Sequence, residues 1–182
     1  MTGTGTYQIK ITLKHSKPPI WRRLLVASDI TLYRLHLIIQ EAMPWSNSHL
    51  HQFTVGEIEY SDPAFDLEDT KDERRAKLHT IAPTEGARFE YIYDFGDYWE
   101  HVIEVEKILP DDPGRKLPVC IKGKRACPPE DVGSIWGYDT FLEALSDPNH
   151  PDHAMYSEWI GGKFDPEAFD LAAINDGLRR LG

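Results

Sequence analysis

Phe89-Glu90-Tyr91-Ile92-Tyr93-Asp94-Phe95-Gly96-Asp97-Tyr98-Trp99-Glu100-His101-Val102-Ile103-Glu104-Val105-Glu106 reads as two strands joined by a tight turn. Phe89, Tyr91 and Tyr93 alternate with Glu90, Ile92 and Asp94. Beyond the turn, Trp99, His101, Ile103 and Val105 alternate with Glu100, Val102, Glu104 and Glu106. Period-two alternation of aromatic and β-branched residues is the mark of a half-buried strand. The turn Asp94-Phe95-Gly96-Asp97 contains one residue free to adopt positive φ, so Gly96 is expected there. The hairpin also concentrates chemically capable side chains: Asp94, Asp97, Trp99, Glu100 and His101.

Upstream, Tyr7, Ile9, Ile11 and Leu13 alternate with polar residues, and Lys17-Pro18-Pro19 ends that strand. Ile20 to Ala27 forms the next, and antiparallel pairing of the two is the simplest arrangement. Residues 1–5 are rich in Gly and Thr and are expected to fray. Asp29 to Met43 is a helix: Asp29 or Thr31 caps it, Leu32, Leu35, Ile38, Ile39 and Ala42 form its apolar face, and Pro44 stops it. His36 lies beside that face and reads as a partly buried, hydrogen-bonded structural residue. A strand over His49 to Val55 and a shorter one over Ile58 to Tyr60 follow. Residues 61–77 are strongly charged and predict a mobile surface loop. Leu78 to Ile81 is expected to add a short strand.

Downstream, residues 109–136 are rich in Pro and Gly and show no helical or strand period, which predicts a long loop. Helices are predicted over Asp139–Ser146 and Asp152–Ile160. A last helix is capped by Asp165 with Pro166 at its first position, and Phe169, Ala172, Ala173, Leu178 and Leu181 supply its buried face. The order of elements specifies an α+β fold. It is a single domain over 1–182 with a core of about 6–181, in which a mostly antiparallel sheet is packed by one early helix and a C-terminal helical segment. The sheet-rich part is 6–109, the proline-rich loop 110–136 and the helical part 137–182.

The chain has 182 residues, 41% hydrophobic and 27% charged, with a formal charge of −10. That charge argues against broad non-specific nucleic-acid binding, which rests on many Lys/Arg contacts to phosphate. Trp21-Arg22-Arg23 and Lys122-Gly123-Lys124-Arg125 are short basic clusters that leave a local contact open. For Trp21-Arg22-Arg23 the favoured reading is a sheet Trp with two arginines paired to acids. No apolar run reaches membrane-spanning length and the start lacks a secretory signal, so a cytoplasmic protein is expected. Cys120 and Cys127 are too few for a disulfide framework and read as free thiols or a pair of metal ligands.

His49-Leu50-His51 would place two imidazoles on one strand face, about 6.5–7 Å apart. They could share a divalent metal with His101, or line a hydrated cleft. Asp94 and Asp97 could orient an imidazole or serve with it as an acid–base unit, although both are also good turn residues and that role is favoured. The sequence carries neither a phosphate-cradling glycine loop nor a G-x-S-x-G or H-E-x-x-H motif.

Several of these segments, in this order, resemble the plasmid pRiA ORF-3-like family, which includes passenger proteins of insertion elements. They are Pro19-Ile20-Trp21-Arg22-Arg23, His49-Leu50-His51-Gln52-Phe53, Tyr93-Asp94-Phe95-Gly96-Asp97 with Trp99 and His101, Ala126-Cys127-Pro128-Pro129-Glu130-Asp131-Val132-Gly133 with Gly137-Tyr138, and Phe164-Asp165-Pro166. One departure is Ser134, where the family pattern often has a second glycine, and a slightly stiffer loop is expected. The resemblance implies a compact α+β domain without an established reaction, in a mobile-element setting. It nominates Trp21, Arg22, His49, His51, Asp94, Asp97, Trp99, His101, Glu130 and Asp131 as lining one cleft. The leading expectation is a non-catalytic binding or regulatory module for a peptide, a protein segment or a small polar ligand. The alternatives are a metal-dependent hydrolase-like enzyme and a DNA-associated accessory factor.

Overall fold

The computed structural model describes residues 5–181, so the expectation of a frayed start falls mostly outside the described residues. Strands β1 (Thr6–Leu13) and β2 (Ile20–Ala27) lead into helix α1 (Leu32–Ala42). Then come β3 (His51–Val55), β4 (Ile58–Ser61), a 3-10 turn at Pro63–Phe65, β5 (Lys71–Asp72) and the single-turn helix α2 (Leu78–Ile81). The hairpin is β6 (Arg88–Tyr93) and β7 (Trp99–Leu109). It is followed by β8 (Val119–Lys124), α3 (Ser134–Ser146), α4 (His153–Ile160) and α5 (Leu171–Arg180). The eight strands form one sheet in the order β5-β4-β3-β6-β7-β1-β2-β8, antiparallel throughout except for β4 with β5. This is an α+β fold.

The register explains which side chains go inward. Tyr93 pairs with Trp99, Tyr91 with His101 and Phe89 with Ile103, and Ile103 in turn faces Ile11 on β1. All of these side chains are buried, as alternation requires, and they form one core with Leu35, Ile38 and Ile39 of α1. Full burial of such a side chain stabilises by roughly 1.5–3 kcal/mol. Thr31 caps α1, its side chain accepting the Arg34 N–H at 3.2 Å. The opposite sheet face is polar: Arg23 pairs with Glu106, and Lys14 with Glu90, at 2.6 Å each.

Four local expectations are corrected. Leu78–Ile81 is a helical turn, too short for periodicity to separate it from a strand. The segment 61–77 is tied to the body, because Glu73 N–H donates to Ser61 O and Glu73 is fully buried. The long loop contains β8, which pairs with β2 at the sheet edge, and ends in α3, which starts at Ser134. The last helix begins at Leu171, where the Asp170 side chain accepts the Ala173 N–H. Asp165 instead closes a turn onto the Glu167 N–H, and Pro166 O accepts the Ala126 N–H.

Candidate functional site

The hairpin turn is built on Asp94, not Gly96. Asp94 (φ 60°) and Tyr98 (φ 58°) take the left-handed conformation, and Asp94 Oδ1 accepts the Gly96 N–H at 2.8 Å. An Asp whose carboxylate binds the backbone two residues on stabilises such a turn locally. The Asp94 N–H donates to Leu50 O at 2.8 Å, which ties the turn to the segment entering β3. Asp97 accepts the Gly133 N–H at 3.1 Å, which ties it to the proline-rich loop.

Five of the nominated residues meet there. His49 Nε2 lies 3.3 Å from Asp131 Oδ1 and 3.7 Å from Asp94 Oδ2. Beside them, the Tyr93 hydroxyl donates to Glu130 at 2.6 Å and accepts the Ser48 N–H at 3.0 Å. Burial, reinforced by the Glu130 hydrogen bond, pushes the Tyr93 hydroxyl up to about 12. Glu130 also accepts the N–H and hydroxyl of Ser46. His49, Asp94, Asp97, Glu130 and Asp131 thus share one surface built from three chain segments.

The other five are elsewhere. Trp99 and His101 are buried in the core, and His101 Nδ1 faces Tyr91 O at 3.3 Å. Burial brings the His101 imidazole down to about 4. His51 is buried against Glu73 (Nε2 to Oε2, 2.8 Å) and stacks on His36, with ring centroids 3.4 Å apart. Regular alternation starts only at His51, so His49 and His51 do not offer two imidazoles to one ion. His49, His51 and His101 therefore do not assemble as a ligand set. Among the described residues, the ligand atoms that converge within 4.8 Å of one another belong to His49, Asp94 and Asp131.

Trp21 and Arg22 point to opposite sides of β2. Arg22 is buried and donates to the carbonyls of Ala42, Trp21 and Lys124 and to Cys127 Sγ. Arg23 lies over the Trp21 ring and is held by Glu106. Arg125 is buried and paired with Glu167. The basic clusters therefore leave mainly Lys122 and Lys124 exposed. Cys120 and Cys127 are free thiols, and burial pushes Cys127 up to about 11.

His36 is buried and fully hydrogen-bonded. Asn47 Oδ1, an acceptor, lies 2.7 Å from its Nε2, so Nε2 carries the proton. Nδ1 then accepts from the Tyr91 hydroxyl at 2.8 Å, and Gln40 donates to the Tyr91 oxygen. Burial, with His51 stacked against it, pulls the ring down to about 3.

Trp45 is the important residue that sequence reasoning missed. It stacks on Tyr93 (5.1 Å) and Trp99 (6.0 Å) and meets His101 edge-on (5.3 Å). Its indole N–H donates to Pro128 O at 3.0 Å and so fixes the proline-rich loop. A groove of about 640 Å³ opens beside it, between the end of α1, the segment 126–130 and α5. Met43, Trp45, Cys127, Phe164, Phe169 and Ile174 supply its apolar lining, and Glu41, Glu130, Asp170 and Arg180 its charged groups. The one sequence signal for Trp45 was a large aromatic placed immediately after the helix-ending Pro44.

The sequence match that decides the family spans residues 5–173 and is to the model of the Plasmid pRiA4b ORF-3-like protein. The chain belongs to this family. A family relative, "Uncharacterized protein y4hQ" of Sinorhizobium fredii, is 41% identical over 177 residues, covering 96% of this chain and 91% of the relative. A crystal structure of a protein of unknown function, MM3350 from Methanosarcina mazei Go1, is similar in fold with a TM-score of 0.83 and 36% identity. The match covers 93% of this chain and 97% of that one. No described helix of this family member is long and apolar enough to cross a membrane.

Proposed function

We propose that the chain is a non-catalytic binding module whose groove beside Trp45 takes a peptide segment with an apolar anchor and a flanking basic residue. The observation that carries this reading is the groove of about 640 Å³, lined by both apolar and charged side chains. That volume falls within the ~300–1,000 Å³ usual for ligand sites. Trp45 supplies a rigid aromatic wall, which such an anchor needs. Three carboxylates, Glu41, Glu130 and Asp170, line it beside two guanidinium groups, of which Arg22 is committed to backbone carbonyls and Arg180 lies 3.9 Å from Glu41. That balance favours a basic segment.

Catalysis at the groove is disfavoured by its chemistry. Cys127 is its thiol, and burial keeps it protonated. The Cys127 contacts are Arg22 and Met43, neither of which is a base.

Selection from a random-peptide display library tests the reading, with Ala173→Trp as a groove-filled variant. Expected are peptides with an apolar anchor beside Lys or Arg, which bind the wild type and lose at least about tenfold in affinity to the variant. Failure to enrich any peptide, or equal binding to a folded Ala173→Trp protein, would overturn it.

A further inference from the structure

We infer that His49, Asp94 and Asp131 form a binding site for a divalent first-row transition ion, Mn²⁺ or Zn²⁺. The site is distinct from the groove and does not rest on the peptide reading. Its ligand atoms come from three places in the chain: the approach to β3, the β6–β7 turn and the proline-rich loop.

The separations point to coordination. His49 Nε2 stands 3.3 Å from Asp131 Oδ1 and 3.7 Å from Asp94 Oδ2. Both exceed the ~2.7–2.9 Å of a charge-assisted N–H···O bond. Ligands ~2.1 Å from a common ion lie about 3.0 Å apart at an octahedral edge and about 3.4 Å apart at a tetrahedral one. The two His49 pairs lie within a few tenths of an ångström of the tetrahedral edge, and the Asp94 and Asp131 oxygens lie within 4.8 Å of each other.

The uncommitted Asp94 oxygen and the cavity beside His49 supply a second argument. The Asp94 side chain is only 10% exposed, and its hydrogen bond to Gly96 uses Oδ1, leaving Oδ2 as the oxygen turned to His49. That oxygen makes no hydrogen bond among the described residues and is available to a ligand beside His49. On the other side, His49 lines a cavity of about 420 Å³ together with His36, Asn47, Asp62 and His51. His51 is 2% exposed, and its Nδ1 has no hydrogen-bond partner among the described residues. An ion held by three protein ligands keeps open positions, and a ligand oxygen bound there would lie beside this cavity.

The donor set decides the ion class. One imidazole nitrogen with two carboxylate oxygens is a borderline-to-hard set that suits Mn²⁺ and Zn²⁺ better than Cu⁺, which prefers thiolate and thioether sulfur.

The test is calorimetric titration of the chelator-treated full chain with ZnCl₂ and, separately, MnCl₂. Asp131→Asn, whose side chain is 72% exposed in the wild type, and Asp94→Asn, which keeps an oxygen for Gly96, should both fold. About one equivalent should bind, and each of Asp94→Asn, Asp131→Asn and His49→Ala should weaken binding more than about tenfold. His15→Ala, which removes an exposed imidazole elsewhere, should leave it unchanged. Absence of uptake of both ions, or uptake that survives His49→Ala and Asp131→Asn, would overturn the site.

Discussion

Mild acid should destabilise the fold through two histidines held neutral in the core. The His36 imidazole sits at about 3 because it is buried and His51 stacks on it, and His101 sits at about 4 because it is buried. In the unfolded chain both return to about 6.5. Between the two values the unfolded state binds protons that the native state refuses, so stability is complete above about pH 6.5 and falls with pH. At pH 5 each histidine is about 1.5 units below its unfolded value, and at about 1.36 kcal/mol per unit each loses about 2 kcal/mol. Together they remove about 4 kcal/mol, a large share of the ~5–15 kcal/mol that holds a typical domain. The loss continues to about pH 4 for His101 and about pH 3 for His36. Urea unfolding followed by tryptophan fluorescence at pH 7.5 and pH 5 measures the difference. Imidazole NMR titration of the folded protein assigns it to the two rings. A stability change below about 1 kcal/mol, or native titration of either ring near 6.5, would refute the reasoning.

Three further outcomes follow from packing. A Cβ at position 137 would lie 2.3 Å from Val132 O, so Gly137→Ala should push α3 off the proline-rich loop. It should cost about 1–3 kcal/mol in thermal unfolding and weaken metal binding through displaced Asp131. Arg22→Leu should lose about 3–5 kcal/mol by chemical denaturation, because the Ala42 and Lys124 carbonyls lose their donor inside the core. Cys120, buried and raised by that burial, should alkylate slowly at pH 8 in the native protein and fast in urea. Mass spectrometry reads this out, and rapid native labelling would contradict the burial.

The alternation in 89–106 identified the inward residues of β6 and β7, and the same period worked for β1 and β2. The α1 face and its Pro44 stop were equally legible, because these signals are local. β8 was not legible. Gly123 interrupts it, and the β2 strand that pairs with it lies about a hundred residues away in sequence. The true start of α5 was hidden for a related reason. Asp165-Pro166 is a good helix opening by itself, but Pro166 O is held by Ala126 N–H, and the helix waits for Asp170. Glu73 looked like one more surface acid in a charged run until His51 was found against it.

By itself the sequence determined which side chains are turned inward. Periods of 2 and 3.6 act between near neighbours, and apolar burial enforces them. It also nominated a pool of polar residues for a site. Only the tertiary structure decided which of that pool meet. It sent His51, Trp99, His101 and Arg22 into the core, and brought His49, Asp94 and Asp131 together from segments far apart in the chain. Sheet register, the left-handed turn at Asp94 and the Trp45 clamp on Pro128 set that convergence, and none of these is encoded in the spacing along any one strand.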